Sequence, residues 1–114
     1  MATIYHNPRC SKSRQTLALL REQGVEPEII EYLRTPQSVS ELQAILALPG
    51  LEASQLVRTK EQAWKDLGQD LGSLSSSEIC AILAGNPKLL ERPIVTHNGR
   101  ACIGRPPENV LDLL

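Results

Sequence analysis

One cysteine, Cys10, stands in the segment His6-Asn7-Pro8-Arg9-Cys10-Ser11-Lys12-Ser13-Arg14, directly after the apolar run Ala2-Thr3-Ile4-Tyr5. This is where a strand gives way to a helix. The first N–H groups of a helix have no acceptor within it and the helix dipole is positive at that end, so a thiolate there is stabilised and becomes a nucleophile. Arg9, Lys12 and Arg14 add positive charge close by in sequence. Pro8 delays the helix, and Ser11 and Ser13 suit its first turn. The competing reading is a small, inert core thiol, a common fate of free cysteine, but three neighbouring cations would be costly beside one.

Three further arginines, Arg58, Arg92 and Arg105, fall where loops meet regular elements. Guanidinium forks match the paired oxygens of a tetrahedral oxyanion, so arginines facing the Cys10 loop would make it an oxyanion site. Taken singly, each is equally a solvated surface cation. A strand that begins after Arg92 and lies beside the start of the first helix would put Arg92 near the thiol. Pro93, the next residue, is a candidate cis-proline: trans is the default for an X-Pro bond, but a cis bond there would aim backbone groups at a substrate. His6, four residues before Cys10, either tunes the thiol or makes a structural hydrogen bond. His97 falls in a turn and reads as exposed, and Tyr5, Tyr32 and Trp64 read as core or rim packing.

A chain of 114 residues makes one domain, 1–114, able to bury a core without metal or disulfide staples. The net charge of -1 argues against a nucleic-acid binder, which needs a surplus of Lys and Arg. No signal-like start and no apolar run long enough for a membrane span are present, so a cytoplasmic protein is expected. The cysteines Cys10, Cys80 and Cys102 are odd in number and lack C-x-x-C spacing, which disfavours both a disulfide framework and a zinc site. Cys80 lies on an apolar helical face. Cys102, on a strand close to Arg105, is the candidate for a second thiol.

The elements that must position these groups follow from periodicity and punctuation. Residues 2–5 read as a strand, Ser11 to about Gly24 as a helix burying Thr16, Leu17 and Leu20, and Pro27–Tyr32 as a second strand, a βαβ unit with parallel strands. Ser38-Val39-Ser40-Glu41 and Ser75-Ser76-Ser77-Glu78 are capping boxes that open two helices. Between them, 51–72 reads as short helices around Trp64, broken at Gly68 and Gly72. Pro93–Thr96 and Arg100–Ile103 flank His97-Asn98-Gly99 as a hairpin, and Pro106-Pro107 starts a last helix with Val110, Leu111 and Leu114 inward. The order βαβ, helices, ββα predicts an α/β, thioredoxin-like fold with a four-stranded mixed sheet.

The motifs together, Ile4-Tyr5-His6-Asn7-Pro8-Arg9-Cys10, Glu31-Tyr32-Leu33, Arg58, Asn86-Pro87, Glu91-Arg92-Pro93-Ile94-Val95 and Gly104-Arg105-Pro106-Pro107 with Val110-Leu111, span almost the whole chain. The chain resembles the glutaredoxin-coupled arsenate reductase family, especially its short bacterial branch. That resemblance implies Cys10 as nucleophile, Arg58, Arg92 and Arg105 as oxyanion-binding groups, and His6 and Ser13 as supports of the thiol loop. It also implies arsenate as substrate, with glutathione as co-substrate, glutaredoxin as partner, and no bound cofactor. Ser13 stands where a resolving cysteine would stand, so an external thiol is required. Lys12 departs from the small uncharged residues that arsenate reductases of the family carry after the cysteine. Two other functions fit the same scaffold: a glutathione-linked thiol oxidoreductase on another substrate, and a redox-sensing regulator that binds RNA polymerase, although the latter relatives use a C-x-x-C switch.

Overall fold

The computed structural model describes all residues, 1–114. Strand β1 (Thr3–His6) lies inside a four-stranded sheet of order β2-β1-β3-β4. It runs parallel to β2 (Glu28–Glu31) and antiparallel to β3 (Ile94–His97), which pairs antiparallel with β4 (Arg100–Ile103). Helix α1 (Ser11–Glu22) crosses between the parallel strands, and the chain leaves it through Gly24 at φ 80°, a left-handed conformation that suits glycine. The mixed sheet and its helices are those of a thioredoxin-like fold.

Side chains alternate across the sheet and so divide the core in two. Ile4 and Val95 pack with Leu17 and Leu20 of α1 and with Val110 and Leu113. Ile94 and Ala101 face the other way, into a larger cluster with Leu42, Ile45, Trp64, Ile79 and Leu83. That second layer is made by α2 (Val39–Ala47), α3 (Gln62–Leu67) and α4 (Ser76–Gly85). Each fully buried Leu or Ile contributes about 1.5–3 kcal/mol, which lets a core with no Phe hold this sheet. Both capping boxes form. Ser38 Oγ accepts from the Glu41 N–H at 3.1 Å and Glu41 Oε1 from the Ser38 N–H at 3.0 Å; Ser75 and Glu78 do the same at 3.1 and 2.9 Å. These bonds hold the Glu41 and Glu78 carboxyls below their usual range.

The structure corrects three local expectations. The last helix is a 3-10 helix (Pro107–Leu113), so its inward positions recur every third residue: Pro107, Val110 and Leu113 are buried, whereas Leu111 and Leu114 are exposed. His97 is the last residue of β3 and half-buried, with Nδ1 enclosed and unpartnered; the turn itself is Asn98-Gly99, at φ 54° and 72°. Gly72 sits inside a 3-10 turn (Leu71–Ser73) and does not break one, while Gly68 does end α3 in a left-handed conformation. No helix is long and apolar enough to cross a membrane.

The loop after β4 rests directly on α1. Gly104 donates to the Pro93 carbonyl at 2.9 Å, and its own carbonyl accepts from the Thr16 hydroxyl at 3.3 Å. A Cβ on Gly104 would lie 2.5 Å from Thr16 Oγ1 and 3.0 Å from Pro93 Cγ. Gly104→Ala is therefore expected to lower stability by about 1–3 kcal/mol through overpacking, measured by denaturant unfolding. An unchanged midpoint would show that the loop does not press on α1.

Candidate active site

Asn7 shapes the approach to the thiol. Its carbonyl accepts from the Cys10 N–H at 3.0 Å and its side-chain oxygen from the Arg9 N–H at 3.0 Å, a local turn that brings Cys10 to the N-cap position of α1. Behind the loop, His6 Nδ1 and Ser13 Oγ are 2.6 Å apart in a buried contact, and Ser13 Oγ also accepts from the Asn7 N–H at 3.0 Å. Burial pushes the His6 pKa down, with Arg21 and Arg14 adding to the effect and Glu31 opposing it. A neutral imidazole anchored on a buried hydroxyl fixes the two ends of the loop to each other. Arg14 turns back to the Pro8 carbonyl at 3.0 Å, bracing the same loop from outside.

Cys10 is half-buried, and that burial pushes its pKa up. Four groups overcome it: the Ser13 N–H, the Arg92 charge, the Lys12 N–H and a hydrogen bond from Arg105. The net pKa is lowered. Sγ makes no full capping hydrogen bond, so the helix end acts through N–H groups directed at the sulfur and through its dipole. Two of these groups, Arg92 and Arg105, are cations brought to the thiol from far along the chain. Ser11 is exposed on the first turn and Lys12 is half-buried.

Arg105 Nη1 lies 3.8 Å from Cys10 Sγ and donates to the Arg92 carbonyl at 3.2 Å. Both arginines precede cis prolines, Pro93 and Pro106. Arg58 arrives by a different route. An isolated bridge between Val57 and Leu90 lays the two segments side by side, with Arg58 N–H donating to Leu89 O at 2.8 Å and Glu91 N–H to Leu56 O at 2.7 Å. The Arg58 side chain donates to the Lys88 carbonyl at 3.2 Å and pairs with Glu61. The result is a cleft of about 330 Å³ lined by Arg58, Arg92 and Arg105 together with Glu61 and Glu91. Cys10 is not in its wall, but Arg105 belongs to the cleft and touches the sulfur. Arg92 Nε is buried there without a partner.

Sequence reasoning missed two members of this constellation. Tyr32 is 1% exposed and is more than packing: burial raises its pKa, Arg92, the Asn7 side chain and Arg58 lower it, and the Cys10 charge raises it, so its hydroxyl lies in the field of the site. Glu91 reaches both Arg92 and Arg105, and its position directly before Arg92 was the available signal. The other thiols are quiet. Cys80 is fully buried, which raises its pKa, and Cys102 is pushed up to about 11 by burial and Asp112 against the pull of Arg100. All three cysteines are free, and no cluster of three or more metal-ligating side chains is present.

The site thus sets one thiol of lowered pKa at a helix N-terminus beside guanidinium groups, on a thioredoxin-like sheet. The ArsC family model matches residues 5–113, and the chain belongs to that family. It is 47% identical over 112 residues to an arsenate reductase of Haemophilus influenzae, covering 97% of each chain. It is 52% identical over 112 residues to the uncharacterized protein YfgD of Escherichia coli, covering 97% of this chain and 94% of that one. Among solved structures, an arsenate reductase from Vibrio cholerae superposes with TM-score 0.90 at 50% identity, covering 99% of this chain and 97% of the other.

The site makes a direct prediction for reactivity. The alkylation rate of Cys10 is expected to rise with pH through an inflection below the ordinary thiol value of about 8.5, because the folded site favours the thiolate. Arg105→Ala should move that inflection upward. Mass-spectrometric alkylation kinetics resolve Cys10 from the other two thiols, and an ordinary inflection that Arg105→Ala leaves in place would contradict the assignment.

Proposed function

We propose that this chain is an arsenate reductase that works through a covalent Cys10 intermediate and draws its electrons from glutathione with glutaredoxin. The observation that carries the reading is the Arg105 guanidinium, which touches the Cys10 sulfur while lining the arginine cleft. Membership of the ArsC family and relatives named arsenate reductase support it.

In this reading the Cys10 thiolate attacks arsenic, an S–As bond forms, and one arsenate oxygen leaves as water after taking up protons. Arsenic is still pentavalent in the adduct. Arg58, Arg92 and Arg105, with the N–H groups at the start of α1, hold the remaining oxygens and spread the negative charge that builds on them. A glutathione thiolate then attacks the Cys10 sulfur, forming an S–S bond, and the S–As electron pair departs with arsenic as trivalent arsenite. Two thiolates have lost the two electrons that arsenic gained. Glutaredoxin removes the glutathione from the mixed disulfide and restores the Cys10 thiolate. With Ser13 at the position of a second thiol and Cys102 held at about 11, the chain has no low-pKa partner of its own for that step.

Arsenate-dependent NADPH consumption, in the presence of glutathione, glutaredoxin and glutathione reductase, is the expected activity, and Cys10→Ser should abolish it. Arg58→Ala, Arg92→Ala and Arg105→Ala should each weaken arsenate use about tenfold or more, since a charged hydrogen bond is worth about 1.5–3 kcal/mol, with little change in unfolding midpoint. No NADPH loss from the wild-type protein at millimolar arsenate would contradict the proposal.

A further inference from the structure

The arginine cleft also contains acceptors. Glu61 pairs with Arg58 alone. Glu91 stands between the two guanidinium groups that act on the thiol: Oε1 lies 3.4 Å from Arg92 Nη1 and 3.7 Å from Arg105 Nε, and its side chain is 23% exposed, open to a ligand. Oε1 also accepts from the Arg92 N–H at 3.3 Å, whereas Oε2 takes part in none of the site's hydrogen bonds. A tetrahedral anion held between Arg92 and Arg105 therefore meets donors on two sides and a carboxylate on a third.

A carboxylate only accepts hydrogen bonds. A fully deprotonated oxyanion also only accepts, so in this position it would bring like charges together with no hydrogen between them. An oxyanion that keeps one proton can direct that hydroxyl to Glu91 while its other oxygens take the guanidinium donors. We propose that Glu91 is a specificity-determining residue that selects tetrahedral oxyanions bearing a proton over those without one. This rests on the reading that the cleft binds a tetrahedral oxyanion, and it adds a basis for choosing among them. Hydrogen arsenate and hydrogen phosphate would be admitted and sulfate refused. A site that hydrogen-bonds a substrate hydroxyl rejects the analogue lacking it far more strongly than a pocket that sorts by size.

Hydrogen phosphate and sulfate make the test pair, because at mildly alkaline pH both are dianions of similar size that differ by the proton. The readout is the concentration of each that half-protects Cys10 from alkylation, followed by mass spectrometry in the full chain. Wild type is expected to need at least about tenfold more sulfate than phosphate, and Glu91→Gln, which removes the charge and offers an N–H donor, should narrow the ratio to below about threefold, chiefly by tightening sulfate. Equal protection by the two anions in wild type would overturn the inference. So would a Glu91→Gln ratio that stays wide, or a variant that weakens both anions alike, which is the result for a residue that only braces the arginines. The arsenate turnover assay separates this from the parent reading. Turnover without anion preference defeats the selection by Glu91 alone, and preference without turnover defeats the reductase assignment while leaving the selection in place.

Discussion

One nitrogen of Arg105, Nη1, reaches both the Cys10 sulfur and the Arg92 carbonyl. That contact joins residues 95 positions apart in sequence and closes the site. Its geometry depends on the loop that carries Arg105, and that loop is seated by Gly104 against Thr16 of α1 and the Pro93 carbonyl. The same helix therefore presents the thiol at its N-cap and supports, in its second turn, the loop that returns a guanidinium to it. Helix and loop cannot shift independently without separating the sulfur from its cation.

Burial alone would make Cys10 a poorer thiolate, and the site is arranged to outweigh that penalty. The helix N-terminus supplies N–H groups, and Arg92 and Arg105 supply charge. Behind the sulfur, the buried pair of His6 and Ser13, with the Asn7 N–H on the same hydroxyl, holds the loop without charge. Keeping His6 neutral avoids a buried imidazolium beside a site already rich in cations. Glu61 and Glu91 offset part of that positive charge across the cleft.

Much of the fold was legible because its signals are local. The two capping boxes, the Asn98-Gly99 turn and the spacing of the βαβ unit each act over a few residues, and each element forms where its signal stands. The final helix shows the limit: two prolines marked its start, but the change from α to 3-10 geometry altered which face is buried, and a 3.6-residue period could not anticipate Leu113 in place of Leu111 and Leu114. Around the thiol, the local sequence shows less of the assembly. Arg92 and Arg105 stand out in the sequence as arginines at loop edges, but what brings them to the sulfur is sheet pairing and a loop packed on α1. Tyr32 and Glu91 were hidden for the same reason, since their roles arise only when separate segments meet.

The central claim is that Cys10 and the arginines form one site for a single oxyanion. A crystal structure of the protein grown with arsenate tests it most directly. The account predicts arsenic bonded to Cys10 Sγ, with its oxygens held by Arg92 and Arg105 and the first N–H groups of α1. An unmodified Cys10, with arsenate bound on a surface away from those two arginines, would contradict it.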